Sequence, residues 1–295
     1  MLTVFTIPKA FIGHVGVIQR NAIRSWTRLE PRPEVLLMGN EEGTAQTAQE
    51  LGLRHIPEIT TNEHGTPLMS DLFRRAKANA SEGLLCYVNA DILLLGEFAR
   101  AIEQVKASVR QFLIVSKRVN VDVAVEIGFE RGWEKLLRGQ ATRSGVDGHH
   151  TAIDVFVFPR EMYDDVPDFA IGRLWFDHWL IKAARKNRIP VVDVSPMAPV
   201  LHQNHDYNHV SGGEEQVWRG QEAAENFRLY GDDRQAYSLL SATHELREDG
   251  TIRKVRLRQT LFDVKQAMWN LFVRRTVDLR DTLRLRRRYE EDWKR

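Results

Sequence analysis

The sequence predicts an α/β fold in which a doubly wound, mostly parallel sheet is flanked by helices and followed by a basic α-helical C-terminal tail. Short apolar runs alternate with amphipathic segments over about the first 120 residues, as in strands joined by crossover helices. One run, residues 84–88, is apolar throughout, which is typical of a parallel strand covered on both faces. Residues 251–295 hold 14 Lys and Arg against 6 Asp and Glu, whereas the whole chain has a net charge of +2.

The individual elements follow from apolar periodicity and from helix start and stop signals. Thr66 can cap a helix and Pro67 suits its first turn, so the pair predicts a helix start. Periodicity fades over residues 121–150, where we expect a mobile loop or a short helical insertion. The other expected elements are strands at 2–7, 34–38, 84–88, 111–116, 151–158 and 189–194, and helices at 15–28, 44–51 and 174–186.

The composition is that of a globular protein, with 43% apolar and 28% charged residues. Cys86 is the only cysteine and lies in an apolar run, which excludes a disulfide framework and a cysteine zinc site. No stretch reaches the roughly 18 apolar residues of a membrane span, and the N-terminus lacks a secretory signal pattern. We therefore expect a cytoplasmic protein.

Asp91 is the strongest candidate for a functional residue. It follows the apolar run 84–88 and precedes another apolar run, 92–95. A buried carboxylate needs a cation, backbone donors or a raised pKa. A metal ion is the simplest partner, and the alternative is a carboxylate that caps a turn or a helix. Since a doubly wound sheet binds ligands beyond the carboxyl ends of its strands, a site is expected at this position.

The run Tyr-Val-Asn-Ala-Asp-Ile-Leu-Leu, residues 87–94, resembles the metal-binding Asp-x-Asp segment of the GT-A-fold nucleotide-diphospho-sugar transferases, with Asn89 in place of the first aspartate. Other segments resemble the same superfamily in the same order, namely Phe5 to Lys9, Leu37 to Glu41, His64 to Leu68, Ala152 to Arg160 and Leu201 to Tyr207. The resemblance implies a GT-A-like catalytic domain over residues 1–210. Residues 211–295 then form a helical C-terminal extension, basic from about residue 251.

The resemblance implies a metal-dependent glycosyltransferase that moves a sugar from a nucleoside-diphosphate donor to a hydroxyl of a glycan or lipid-linked acceptor, in surface polysaccharide or glycoconjugate synthesis. It also implies that Asp91 is the main metal ligand and that His202 matches a histidine ligand on a later strand. Such a site suits Mn²⁺ or Mg²⁺, and the imidazole favours Mn²⁺. The alternatives are a zinc site of His202, His205 and His209, and loop histidines that bond to the backbone.

Asp177 is expected in the first turn of the helix at 174–186, where the helix dipole favours a charged carboxylate. The resemblance implies that Asp177 is the general base of an inverting reaction. The alternatives are an ordinary first-turn acid and, without this base, retention of configuration. Trp175 and Trp179 could stack on a sugar, although two tryptophans four residues apart are more often part of the core.

The donor-binding candidates are polar residues at the ends of predicted strands or on the helix that starts at Thr66. In the resembling fold, the end of the first strand holds the nucleotide, and the Pro67 helix approaches the sugar. The candidates are Thr6, Lys9, Asn40, Asp71, Asn89 and Asp154.

The basic tail has two interpretations. Residues 260–273 place apolar side chains on one side and precede arginine clusters, which suits a helix on an anionic membrane surface, here the inner face of the cell membrane. The alternative is a helix that packs on the catalytic domain or on a second subunit of a homo-oligomer. We do not expect a nucleic-acid partner, because the tail has neither an aromatic-stacking pattern nor a zinc finger.

Two other functions remain open. One is a nucleotidyltransferase with the same type of sheet, although such enzymes carry a glycine-rich loop with Arg and Lys after the first strand, and residues 7–14 do not have that composition. The other is a catalytically silent module that binds a nucleotide sugar.

Overall fold

The computed structural model describes residues 2–205, 220–231 and 236–255, together with Val264. The chain divides into two compact units, Met1–Lys254 and Val255–Arg295. The first unit is described below. The predicted helical tail falls almost entirely outside the described residues. No described helix has both the length and the apolar character needed to cross a membrane.

The described elements alternate strand and helix through most of the first unit. The strands are β1 (Leu2–Thr6), β2 (Glu34–Met38), β3 (Arg54–Ile56), β4 (Leu84–Val88), β5 (Ile92–Leu93), β6 (Leu113–Val115), β7 (Arg118–Val121), β8 (Val146–Asp147), β9 (Val155–Pro159), β10 (Val191–Asp193), β11 (Val200–Gln203), β12 (His244–Leu246) and β13 (Ile252–Lys254). The helices are α1 (Gly13–Trp26), α2 (Thr44–Leu51), α3 (Met69–Asn79), α4 (Gly96–Ser108), α5 (Trp133–Ser144), α6 (Phe176–Lys186) and α7 (Gln221–Tyr230), with a 3-10 turn at Leu239–Ser241.

The main sheet is mostly parallel, as the sequence predicts. Its nine strands have the order β13-β12-β10-β6-β9-β4-β1-β2-β3. The strands β3, β2, β1 and β4 are parallel neighbours, and so are β6, β10 and β12. Strand β9 runs antiparallel between β4 and β6, and β13 is an antiparallel edge strand. The carboxyl ends of the central strands β1 and β4 therefore lie at the same edge of the sheet.

The core lies on both faces of this sheet, which confirms the doubly wound arrangement. Val4 and Phe5 are consecutive residues of β1 and are both fully buried, but they pack into different apolar clusters. Helices α1, α2 and α4 contribute to the Val4 cluster, whereas α3, α6 and α7 contribute to the Phe5 cluster. Side chains of a strand alternate between the two faces, so burial of every position in β4 and of Thr3 to Thr6 in β1 requires helices on both sides.

A smaller second sheet has the order β5-β11-β7-β8. Strand β5 begins immediately after Asp91 and pairs antiparallel with β11, so that His202 lies opposite Ile92. Strand β7 pairs parallel with β11 on its other side, with Asn120 opposite His202. This sheet holds β11 next to the chain that leaves the end of β4.

The structure refines several expectations from the sequence. The region 121–150, expected as a mobile loop or a short helical insertion, contains α5 and the short strand β8. The extension expected to be helical from residue 211 includes, in its described part, α7 and also the strands β12 and β13, which continue the main sheet. The boundary expected at residue 210 falls outside the described residues.

Candidate active site at the carboxyl ends of the central strands

A cleft of about 130 Å³ lies at the carboxyl ends of β1 and β4, where the topology of a doubly wound sheet predicts ligand binding. Lys9 follows β1, and Asn89 and Asp91 follow β4. One face of α1 and the residues Ile171, Gly172, Phe176 and His205 complete the lining. The cleft therefore brings together segments that are far apart in the sequence.

Asp91 lies beside two histidine rings. Its Oδ2 is 3.0 Å from Nε2 of His205 and 3.7 Å from Nε2 of His202. One ligand atom from each of the three residues lies within 4.8 Å of the other two. Asp91 Oδ1 and His202 Nδ1 are buried and have no hydrogen-bond partner within the described part of the chain. Since a buried polar atom is normally satisfied, the orphaned carboxylate oxygen points to a missing ligand.

The backbone of Asp91 is held firmly in this position. Gln203, at the end of β11, donates from its backbone N–H and its side-chain amide to the Asp91 carbonyl oxygen, at 3.3 and 3.0 Å. The same amide donates to the carbonyl oxygen of Ile18 on α1 at 2.8 Å. Strand β11 thus fixes Asp91 and presents His202 to it.

The electrostatics favour an ionised Asp91. Burial opposes the charge, but the His205 hydrogen bond and the positive charges nearby hold the pKa of Asp91 well below its ordinary value. Burial lowers the pKa of His202, against the opposing effect of Asp91. Burial also lowers the pKa of Lys9, with Asp91 opposing this shift and Arg173 adding to it. A carboxylate and a neutral imidazole are the forms that bind metal ions.

These residues fit a divalent cation. The donor set is one carboxylate and two imidazole nitrogens, which suits transition ions and leaves coordination positions for other ligands. Two ligand atoms about 2.1 Å from one ion and at right angles are about 3.0 Å apart, close to the Asp91–His205 separation of 3.0 Å. His209, the third residue of the alternative zinc site, lies outside the described residues.

Asn89 stands in place of the first aspartate of the motif, and both polar atoms of its side chain form hydrogen bonds within the protein. Its Nδ2 donates to Asp154 Oδ1 at 2.8 Å, and its Oδ1 accepts from the Tyr87 hydroxyl at 3.0 Å. Arg118 on β7 donates to the other oxygen of Asp154 at 3.0 Å. Burial raises the pKa of Asp154, and Arg118 counteracts the shift. Asn89 therefore holds the Asp154 carboxylate through its amide nitrogen.

Asp177 lies in the first turn of α6, as predicted. Its Oδ1 is buried and lacks a hydrogen-bond partner among the described residues. Burial raises the pKa of Tyr87, and the charges of Asp154, Asp91 and Asp177 add to this effect. Asp177 itself is not among the residues that line the Asp91 cleft, but its neighbour Phe176 is, and the Phe176 ring lies 5.7 Å from that of Tyr87.

Trp175 precedes α6 in the left-handed region with φ 91°, a conformation that costs a bulky residue about 1–3 kcal/mol. Its ring packs against Phe227 at 4.8 Å and Tyr230 at 5.0 Å between centroids. Trp179 packs against Phe169. Both tryptophans are thus partly buried and pack against the core, as expected from their spacing.

The structure gathers some of the predicted donor-binding residues and separates others. Lys9 and Asn89 line the cleft, and Asp154 contacts Asn89. Thr6 is buried within β1, and Asn40 is exposed after β2.

Asp71 lies on α3 in a different cavity, next to Thr60 and Asp168. Its carboxylate accepts from the Thr60 backbone N–H and from Arg75, each at 2.8 Å, and also pairs with Arg74. The Asp71 carboxylate is thus bonded to other residues of the protein and does not line the Asp91 cleft.

Two arginines near the site gave no signal in the sequence. Arg118 anchors Asp154 from the second sheet. Arg173 lies near Lys9 and donates to Glu222 on α7 at 2.6 and 3.0 Å. His205 did belong to a visible histidine cluster, but its position beside Asp91 depends on the end of β11 and could not be read from spacing.

No known family's sequence model matches the chain, and no curated protein is similar to it in sequence. Among solved structures, it is similar to residues 1–349 of S. aureus TarS in complex with UDP-GlcNAc, with a TM-score of 0.50 and 14% identity, over 78% of this chain and 65% of that one. It is also similar to glucosyl-3-phosphoglycerate synthase from Mycobacterium tuberculosis in complex with Mn²⁺, UDP and phosphoglyceric acid, with a TM-score of 0.48 and 15% identity, over 78% of each chain. The likeness to TarS shows the fold, which is of the GT-A type.

Proposed function

We propose that this protein is a metal-dependent glycosyltransferase that moves a sugar from a nucleoside-diphosphate donor to a hydroxyl of a glycan or lipid-linked acceptor, in surface polysaccharide or glycoconjugate synthesis. The observation that carries the proposal is the cluster of Asp91, His202 and His205, beside Lys9, at the carboxyl ends of the central strands of a GT-A fold. TarS, which has this fold, binds UDP-GlcNAc, and this supports a nucleotide-sugar donor.

The donor's diphosphate is proposed to lie between Lys9 and Asp91. A divalent ion held by Asp91 and His202 would offset the charge that grows on the departing nucleoside diphosphate. Lys9 adds an ammonium group in the same cleft, where partial burial strengthens its attraction for phosphate oxygens. Ile7 and Ile18 line the cleft beside it and reduce the access of water.

The donor sugar is proposed to lie near Asn89 and Asp154. Each oxygen of Asp154 already accepts one hydrogen bond, but a carboxylate has about four acceptor positions, so Asp154 can still accept from a sugar hydroxyl. Arg118 keeps this carboxylate in place. Thr6, Asn40 and Asp71 do not enter the proposal because they lie within a strand, on the surface or in another cavity.

Asp177 is proposed to be the general base of a single displacement. The acceptor oxygen forms a bond to the anomeric carbon as the bond from that carbon to the phosphate oxygen breaks. The acceptor proton moves to the carboxylate of Asp177, whose Oδ1 has no hydrogen-bond partner among the described residues, and the nucleoside diphosphate departs with the bonding electrons. Attack from the face opposite the leaving group inverts the anomeric configuration, which NMR of the product would report.

A screen of nucleoside-diphosphate sugars with Mn²⁺ present tests the proposed activity. We expect one donor to release nucleoside diphosphate, slowly with water and faster with an acceptor. Asp177→Asn should lose the increase in release rate that the acceptor causes. Pyrophosphate production from a sugar 1-phosphate and a nucleoside triphosphate would identify a nucleotidyltransferase instead. Metal-dependent nucleotide binding without turnover of any donor would identify a silent binding module.

Contact of the basic tail with an anionic membrane, at the inner face of the cell membrane, stays a prediction. Its measurement is liposome co-sedimentation of the full chain and of a truncated chain. Because Ile252–Lys254 form β13 in the main sheet, the truncation should follow Val255 rather than Thr251. Equal liposome binding by both chains would remove the membrane role, and a change in oligomeric state on truncation would favour packing between subunits.

A further inference from the structure

We infer that His205 is a third protein ligand of the metal ion, and that the protein therefore binds Mn²⁺ without nucleotide and in preference to Mg²⁺. The inference rests on the proposed function in taking the same cleft as the metal centre. It goes further by assigning His205 to the ion and by predicting the order of binding and the choice of metal.

The first step is that Asn89 does not act as a ligand. Its amide nitrogen is directed to Asp154, and its oxygen accepts from Tyr87. A site with Asp91 as its only carboxylate would have to take most of its ligands from the diphosphate. Another protein ligand is therefore needed if the ion is to be held firmly before the donor arrives.

His205 supplies that ligand. Its Nε2 is 3.0 Å from Asp91 Oδ2, closer than the 3.7 Å of His202 Nε2. The two ring centroids are 5.4 Å apart, and the carboxylate oxygen closest to both Nε2 atoms is Asp91 Oδ2. His202 is fixed by β11, and His205 follows it after two residues, so both rings are placed by one strand and its extension.

The donor set then determines the metal. Mg²⁺ prefers oxygen ligands and keeps several waters, whereas imidazole nitrogens favour transition ions such as Mn²⁺. With two imidazoles and one carboxylate already assembled, only the remaining positions need to be filled by water or phosphate oxygens. The site resembles a preformed metal centre more than a carboxylate pair that depends on the nucleotide for most of its ligands.

Binding of the metal alone tests this inference. We would titrate the full-length protein, free of nucleotide, with Mn²⁺ and separately with Mg²⁺ by calorimetry, and record pulsed EPR of bound Mn²⁺ to detect coordinated imidazole nitrogen. The variants are His205→Ala, His205→Asp and, as a matched control, His64→Ala, an exposed loop histidine. Circular dichroism establishes that each variant is folded.

We expect wild type and His64→Ala to bind one Mn²⁺ at least about tenfold more tightly than Mg²⁺, and His205→Ala to lose at least about tenfold in Mn²⁺ affinity with weaker nitrogen modulation. His205→Asp replaces the imidazole with an oxygen ligand, so it should reduce the ratio of Mn²⁺ affinity to Mg²⁺ affinity. This variant replaces His205→Ala in the test if the alanine variant does not fold. Unchanged Mn²⁺ affinity in a folded His205 variant, or equal affinities of wild type for the two metals, would overturn the inference. Mn²⁺ binding without any sugar transfer would instead contradict the proposed function and leave this inference standing.

Discussion

Asn89 donates a hydrogen bond to Asp154 over 2.8 Å, at the position where the resembling metal motif has an aspartate. An amide is required there because Asp154 is itself a buried carboxylate, and two facing carboxylates would repel. Asp154, which directly precedes β9, therefore accounts for the departure from the motif, and in the proposed metal site the ligand His202 comes from β11.

Replacing Asn89 with Asp should destabilise the protein rather than restore a metal ligand. The variant loses the hydrogen bond to Asp154 and sets two acids against each other, so we expect the free energy of unfolding at pH 7 to fall by about 1–3 kcal/mol. Urea denaturation measures this. The double variant Asn89→Asp with Asp154→Asn exchanges donor and acceptor and should recover most of the loss. An Asn89→Asp protein as stable as wild type would contradict the account.

Asp177→Asn should reduce kcat by about 10²–10⁴ because the acceptor hydroxyl loses its base. Nucleotide affinity should stay the same, since Asp177 does not contact the diphosphate in the proposed arrangement. We would compare Asp177→Asn with wild type by steady-state rates with donor and acceptor and by the Kd for nucleoside diphosphate. Asp165→Asn, at an exposed position, is the control. A variant that keeps its rate and still inverts the product would exclude Asp177 as the base.

Lys9→Met should weaken donor binding with little effect on metal affinity. A hydrogen bond to a charged group contributes about 1.5–3 kcal/mol, so we expect the Kd for nucleoside diphosphate to rise roughly ten- to hundredfold. Lys106→Met on α4 removes an exposed lysine and serves as the control. Calorimetry gives the affinity for Mn²⁺ in one titration and, with Mn²⁺ present, the Kd for nucleoside diphosphate in another. An unchanged Kd for nucleoside diphosphate would show that Lys9 does not touch the diphosphate.

Asp71 should contribute to acid stability rather than to donor binding. Burial alone would raise its pKa, but the bonds from Thr60, Arg75 and Arg74 lower the pKa of Asp71 from 3.8 to about 2. A carboxyl with a depressed pKa stabilises the fold above its unfolded pKa and loses that contribution as the pH falls through the folded pKa. The stabilisation is therefore complete above about pH 4 and declines towards pH 2.

Asp71→Asn tests this expectation. The variant should be less stable than wild type by on the order of 2 kcal/mol at pH 7, and the difference should shrink between about pH 4 and pH 2. Denaturant unfolding over that pH range checks the trend. Donor affinity should stay at the wild-type value, because Asp71 lies outside the Asp91 cleft. A large loss of donor affinity in a folded Asp71→Asn protein would restore the donor-binding role considered from the sequence.

The central fold and the position of Asp91 could be predicted because buried parallel strands leave continuous apolar runs, and a charge at the end of such a run is conspicuous. The second sheet could not be predicted from the sequence, because β5 and β8 have two residues each and show no periodicity. The network around Asn89 was also hidden. It joins residues 65 positions apart, and its Arg118 comes from a strand that the sequence did not indicate.

The comparison of Asp91→Ala with wild type tests the central claim most directly. Among the described residues, Asp91 supplies the carboxylate of the cluster with His202 and His205, so its loss should remove the metal ion while the apolar core stays intact. With the donor found in the screen, Mn²⁺ and an acceptor, we predict release of nucleoside diphosphate by wild type and at least about a 10³-fold slower release by a folded Asp91→Ala protein. Near-normal sugar transfer by that variant would contradict the account.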